Sequence, residues 1–83
     1  MKREWYFVRW LNTSSTPEVD RRFEVQVLDN EGRAVAFTDI TVHTIDLAIE
    51  GRIIPRAVID AAKKYQGGQG DYVGPDGISM PPF

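Results

Sequence analysis

The residues in this 83-residue chain that could do chemistry are few, and most stand alone. His43 is the single histidine. It lies beside Thr41 and Thr44, with Asp39 and Asp46 close in sequence, so a general base oriented by a carboxylate is conceivable there. No nucleophile or electrophile pattern accompanies it, and the ordinary reading is a surface or capping histidine. No cysteine is present, which excludes disulfide staples, thiolate metal sites and a cysteine nucleophile. Asp71 and Asp76 lack the alternating carboxylate spacing of a calcium loop. Gly67-Gly68-Gln69-Gly70 follows a helical stretch, whereas a phosphate-binding glycine loop precedes one. Ile49-Glu50-Gly51-Arg52 spells a clotting-protease cleavage sequence, a coincidence in this context. The expectation is a non-catalytic protein with no cofactor and no metal.

The chain is richer in residues suited to contact. Trp5, Tyr6, Phe7 and Trp10 crowd one segment, and Tyr72, Met80 and Phe83 recur near the other end. Tyr, Trp and Phe dominate interface energetics. The small basic clusters Asp20-Arg21-Arg22 and Arg52 to Arg56, taken with those aromatics, could serve single-stranded nucleic acid. Twelve carboxylates against ten cations, a net charge of −2, argue against phosphate recognition as the main task. The candidate partner-binding residues are therefore Trp5, Tyr6, Trp10, Tyr72, Met80 and Phe83, contacting another protein or a second copy of the chain. Nucleic acid is the runner-up partner, and a small enzyme around His43 comes third.

The elements that must position these residues follow from periodicity. Aromatic and β-branched residues over about 3–11 suit a strand with apolar side chains on both faces, Trp5 and Phe7 on one and Tyr6, Val8 and Trp10 on the other. Taking Trp5 and Phe7 as the side covered by helix leaves Tyr6 and Trp10 in need of a second cover, from the tail or from another chain. Asn12 to Pro17 reads as a loop. Residues 21–28 alternate strictly, with Phe23, Val25 and Val27 on one face, and about 33–42 alternate again beyond Asp29-Asn30-Glu31-Gly32. That pair reads as a hairpin closed by a glycine at positive φ.

Residues 44–50 read as a short helix with Thr44 at its N-cap and Gly51 just past its end, although Ile45, Leu47 and Ile49 also alternate as a strand would. A second helix over about 55–66 starts at Pro55 and carries the stripe Ile54, Val58, Ala61, Ala62 and Tyr65. The fold expected is α+β: a three-stranded, mostly antiparallel sheet packed on a two-piece helical segment. Residues 1–66 form the compact domain and 67–83 a partly ordered Gly/Pro-rich C-terminal arm. Within the arm, Gly74-Pro75-Asp76-Gly77 reads as a tight turn. A chain this short buries only ~60–65% of its extended surface, and dimerisation would relieve that thin margin. No stretch reaches the ~20 apolar residues of a membrane span or the pattern of a secretory signal, so no membrane partner is expected and the compartment expected is the cytoplasm.

Overall fold

The two alternating segments pair with each other. The computed structural model describes residues 4–12, 15–65, 69–78, 80, 81 and 83. Strand β1 (Trp5–Trp10) pairs antiparallel with β2 (Arg22–Leu28), and β2 pairs antiparallel with β3 (Ala34–Thr41). The β2–β3 connection is the expected hairpin. Gly32 stands at φ 82°, and Asp29 closes the turn by accepting the amides of Glu31 and Arg33 at 2.8 and 2.9 Å. Those two amides hold the Asp29 carboxyl below the usual carboxylate range. A bulge sets Val27 opposite Ala36 but Leu28 opposite Ala34, so one residue of β3 is extra.

The sheet has four strands rather than three. The short strand β6 (Asp71–Val73) pairs antiparallel with the free side of β1, giving the order β3-β2-β1-β6. Strand β1 is therefore interior, which accounts for its apolar residues on both faces.

The region 44–50 is not a helix. After β3 the chain turns back on Thr44, whose amide donates to the Thr41 carbonyl while its Oγ1 accepts the Thr41 amide, both at 3.1 Å. The hydroxyl thus closes a turn instead of capping a helix. Strands β4 (Ala48–Ile49) and β5 (Arg52–Ile53) then form a small separate hairpin. Its loop is Glu50-Gly51, at φ 49° and 82°, the two consecutive positive values of a tight hairpin turn. Gly51 is needed for its positive φ, as the sequence suggested, but in a hairpin and not after a helix. A lone helix of seven residues must repay costly nucleation with few bonds, and the hairpin places Ile49 in the core with less.

One helix remains. α1 (Arg56–Lys64) follows Pro55, which has extended backbone angles (φ −56°, ψ 138°) and so stands one place before the first helical residue. Lys63 and Lys64 lie in its last turn, where they favour the negative end of the helix dipole. The expected extension to residue 66 ends short at Lys64. Gln66 and the Gly67-Gly68 pair lie outside the described residues.

The core lies between α1 and one face of the sheet. Tyr6 and Val8 meet Phe23, Val25, Val27, Ala36, Ile40 and Val73 from the sheet, Ile49 from the small hairpin, and Ile54, Val58, Ile59 and Ala62 from around the helix. The face of β1 turned to the helix is thus the Tyr6/Val8/Trp10 face, the reverse of the orientation expected from sequence. Register explains it: Tyr6 stands opposite Val27, Val8 opposite Val25 and Trp10 opposite Phe23, so the strictly alternating β2 carries its neighbours with it. Among the described residues no helix is long and apolar enough to cross a membrane.

Candidate functional site

The opposite face of the sheet gathers the remaining aromatic residues. Register defines its rows. Phe37 of β3, Gln26 of β2, Phe7 of β1 and Tyr72 of β6 are consecutive cross-strand partners. At strand spacings near 4.8 Å this row spans about 14 Å. Phe7 and Tyr72 pack with ring centroids 4.9 Å apart. Phe37 is 65% exposed in the middle of an edge strand, and Tyr72 is 42% exposed.

The next row is polar: Asp39, Glu24 and Arg9. Arg9 Nε donates to Glu24 Oε1 at 3.0 Å, and Gln26 Nε2 donates to the same oxygen at 2.7 Å. Burial opposes the charge on Glu24. The bonds from Gln26 and Arg9 outweigh it, and the carboxyl lies below its ordinary range.

The row on the other side holds Trp5 opposite Leu28, both buried although the helix lies on the far face. The cover of Trp5 includes Phe83 of the arm. The Phe83 ring stands edge-on to Trp5 (6.4 Å, 80°) and to Tyr72 (5.8 Å, 85°). The chain reaches this place through the expected turn at Gly74–Gly77, in which the Gly77 amide donates to the Gly74 carbonyl at 2.8 Å.

Two glycines shape the patch. Gly70, at φ 95°, lies so close to the Phe7 ring that a Cβ there would overlap it. Gly32, at φ 82°, lies beside Phe83, and a Cβ would stand 2.8 Å from Cδ2 and Cε2 of that ring. In both places the backbone needs positive φ and the aromatic ring needs the space of the missing side chain.

Of the six candidate contact residues, three converge on this face: Trp5, Tyr72 and Phe83. Met80 is 77% exposed on the same arm. Two do not belong to it. Tyr6 is buried in the core, its hydroxyl donating to Glu4 Oε2 at 3.0 Å. Burial first, and the Glu4 carboxylate second, raise the pKa of that phenol. Trp10 is half-buried on the helix side, with the Arg21 guanidinium 4.7 Å above its ring. Its indole Nε1 finds no acceptor among the described residues.

Phe7 and Phe37 belong to the face and were not among the candidates. The signal for Phe37 was its place in the alternation of β3. The signal for Phe7 was its sharing a face with Trp5.

Elsewhere the polar groups are committed locally. His43 is exposed, its amide donating to Thr41 Oγ1 at 3.2 Å. A groove of about 420 Å³ runs between α1 and β6, with Ala57, Ala61 and Val73 among its apolar lining and Asp60, Asp71 and Asp76 among its polar lining. The Asp71 carboxylate accepts the Tyr72 amide and that of Asp76 accepts the Ile78 amide, each at 3.0 Å. The Tyr65 hydroxyl donates to the Gly70 carbonyl at 2.9 Å. Among the described residues no three metal-ligating side chains are grouped to hold an ion.

These features define a small α+β domain with an aromatic sheet face turned away from its helix. A scan against protein-family models finds no match, and comparisons with curated proteins and with solved structures find none either.

Proposed function

We propose that the chain is a non-catalytic interaction module whose contact surface is the outer face of the sheet. The observation that carries this reading is the row Phe37, Phe7 and Tyr72, continued by Phe83, lying beside the polar row Asp39, Glu24 and Arg9. Aromatic anchors beside a hydrogen-bonded polar margin are the composition of protein interfaces. Two carboxylates on the same face weigh against a nucleic-acid backbone as the occupant. The partner is another protein or a second copy.

The test is affinity capture from native extract with three forms of the protein, together with sedimentation of each. Wild type and Ile53→Thr, a control at an exposed position of the small hairpin, should hold the same stoichiometric partner or the same oligomer. Phe37→Thr/Tyr72→Thr should lose it. A partner retained by the double variant, with the fold intact by circular dichroism, would remove the face from consideration.

A further inference from the structure

We propose that the slot bounded by Trp5, Tyr72 and Gly32 docks an extended, proline-rich segment of a partner protein that presents a phenylalanine, and that the chain's own Phe83 is its internal occupant. The proposal rests on the outer face being a contact surface and names the chemistry the face selects.

The slot is built around one ring. Phe83 meets Trp5 and Tyr72 edge-on, at 80° and 85°, the arrangement in which the positive ring edge of one partner faces the negative ring face of the other. Gly32 leaves open the space beside that ring, because any Cβ would press on it at 2.8 Å. Trp5 is only 6% exposed with the slot filled. An empty slot would uncover its indole.

The occupant is held lightly by comparison. Phe83 is 46% exposed and Met80 77%, and neither residue belongs to a strand. The segment reads Met80-Pro81-Pro82-Phe83. Two successive prolines restrict the chain to extended conformations, so little conformational freedom is lost on docking. Extended proline-rich segments are recognised on aromatic-lined surfaces. Phe83 therefore shows that the slot accepts a phenylalanine ring, and the prolines before it in the sequence are suited to presenting one. Because the arm is tethered through the turn at Gly74–Gly77, it competes at an effective concentration of about millimolar.

The experiment uses the amide spectrum of ¹⁵N-labelled full chain, in which the indole resonances of Trp5 and Trp10 are separate probes. Phe83→Ala opens the slot. A blocked peptide with the sequence of residues 77–83 is then titrated. The Trp5 indole should shift in the variant and return toward its wild-type position as peptide is added, while Trp10 stays in place. The peptide with alanine for its phenylalanine should have no effect, and wild type should bind the peptide about tenfold or more weakly, since its slot is filled. Should Phe83→Ala fail to fold, Phe83→Leu serves for the same titration.

A Trp5 indole that is identical in wild type and variant, or that ignores millimolar peptide, would overturn the proposal. A wild-type dimer dissolved by Phe83→Ala would assign the slot to a second copy's arm and overturn the partner-protein assignment. Failure of the broader reading looks different: the peptide would bind, while capture from extract would be indifferent to Phe37 and Tyr72.

Discussion

The two faces of β1 are made from similar residues and closed by different means. On the inner face, Tyr6 and Val8 are sealed beneath α1 by side chains that arrive from strands, helix and hairpin together. On the outer face, aromatic rings stand against Trp5 and Phe7, Phe83 edge-on to Trp5 and Tyr72 beside Phe7. The inner closure is many-sided, so no single contact releases it. The outer closure depends on a few aromatic edges and on two glycines that make room for them. On the function proposed above, that difference separates a face that holds the fold together from a face that exchanges contacts.

Emptying the inner face should have the largest effect. Phe23 is almost wholly buried opposite Trp10 and Ile40. Phe23→Ala should cost about 3–5 kcal/mol. A chain of this length has a total margin of roughly 4–12 kcal/mol. Urea unfolding should show the midpoint collapse toward zero denaturant. A loss under about 1 kcal/mol would mean that the inner face is no better packed than the outer.

Gly70→Ala attacks the outer face through the backbone. The φ of 95° is strained for any L side chain, and the new Cβ would meet the Phe7 ring. A loss of about 2 kcal/mol is expected, with the Phe7 and Tyr72 ring resonances displaced. Gly51→Ala is the control. It has a similar φ of 82° with open space around it, so it should show backbone strain alone. Equal losses at the two glycines would show that the Phe7 contact contributes nothing.

How far the sequence reveals these faces depends on how local each signal is. The β2–β3 hairpin is legible because alternation, turn residues and Gly32 all agree within one stretch. Helix α1 is legible because Pro55, an apolar stripe and basic residues at the far end agree as well. The orientation of β1 is not, since both of its faces are apolar and only pairing with β2 decides between them. Residues 44–50 read more readily as a short helix, although Ile45, Leu47 and Ile49 also alternate as a strand would. The Glu50-Gly51 turn settles the choice through two positive φ values that composition alone does not announce. Of the site, aromatic content marked Trp5, Tyr72 and Phe83. Their convergence depends on β6 joining β1, a pairing between segments more than 60 residues apart.

The polar row gives a smaller, pH-dependent handle on the outer face. The carboxyl of Glu24 has a folded pKa below its unfolded value near ~4.3. Its contribution is therefore present above that unfolded value and is lost as pH falls through the lowered folded value. Glu24→Gln should remove this component. The stability difference between wild type and variant, measured by urea unfolding, should shrink as pH drops from neutral to 3. Arg9 is substantially exposed, so the bridge itself is worth less than about 1 kcal/mol. A difference that stays constant across this range would mean that the row contributes no charge-dependent stability. Asp29 also has a lowered pKa, so only this difference, and not the slope of wild type alone, isolates the row.

Phe37 should give the smallest stability change and is the sharpest test of the distinction between the faces. It lies on edge strand β3, 65% exposed, and its cross-strand partner is Gln26. Threonine, which is β-branched, favours a strand as phenylalanine does, so Phe37→Thr should change stability by no more than about 0.5 kcal/mol. A large exposed phenylalanine adds little to the fold and is a liability in water unless something covers it. If the outer face is a contact surface, this near-neutral substitution should weaken partner capture or self-association strongly, whereas Phe23→Ala acts on stability first. A Phe37→Thr protein with reduced stability and unchanged association would place Phe37 with the inner residues, as structure rather than contact.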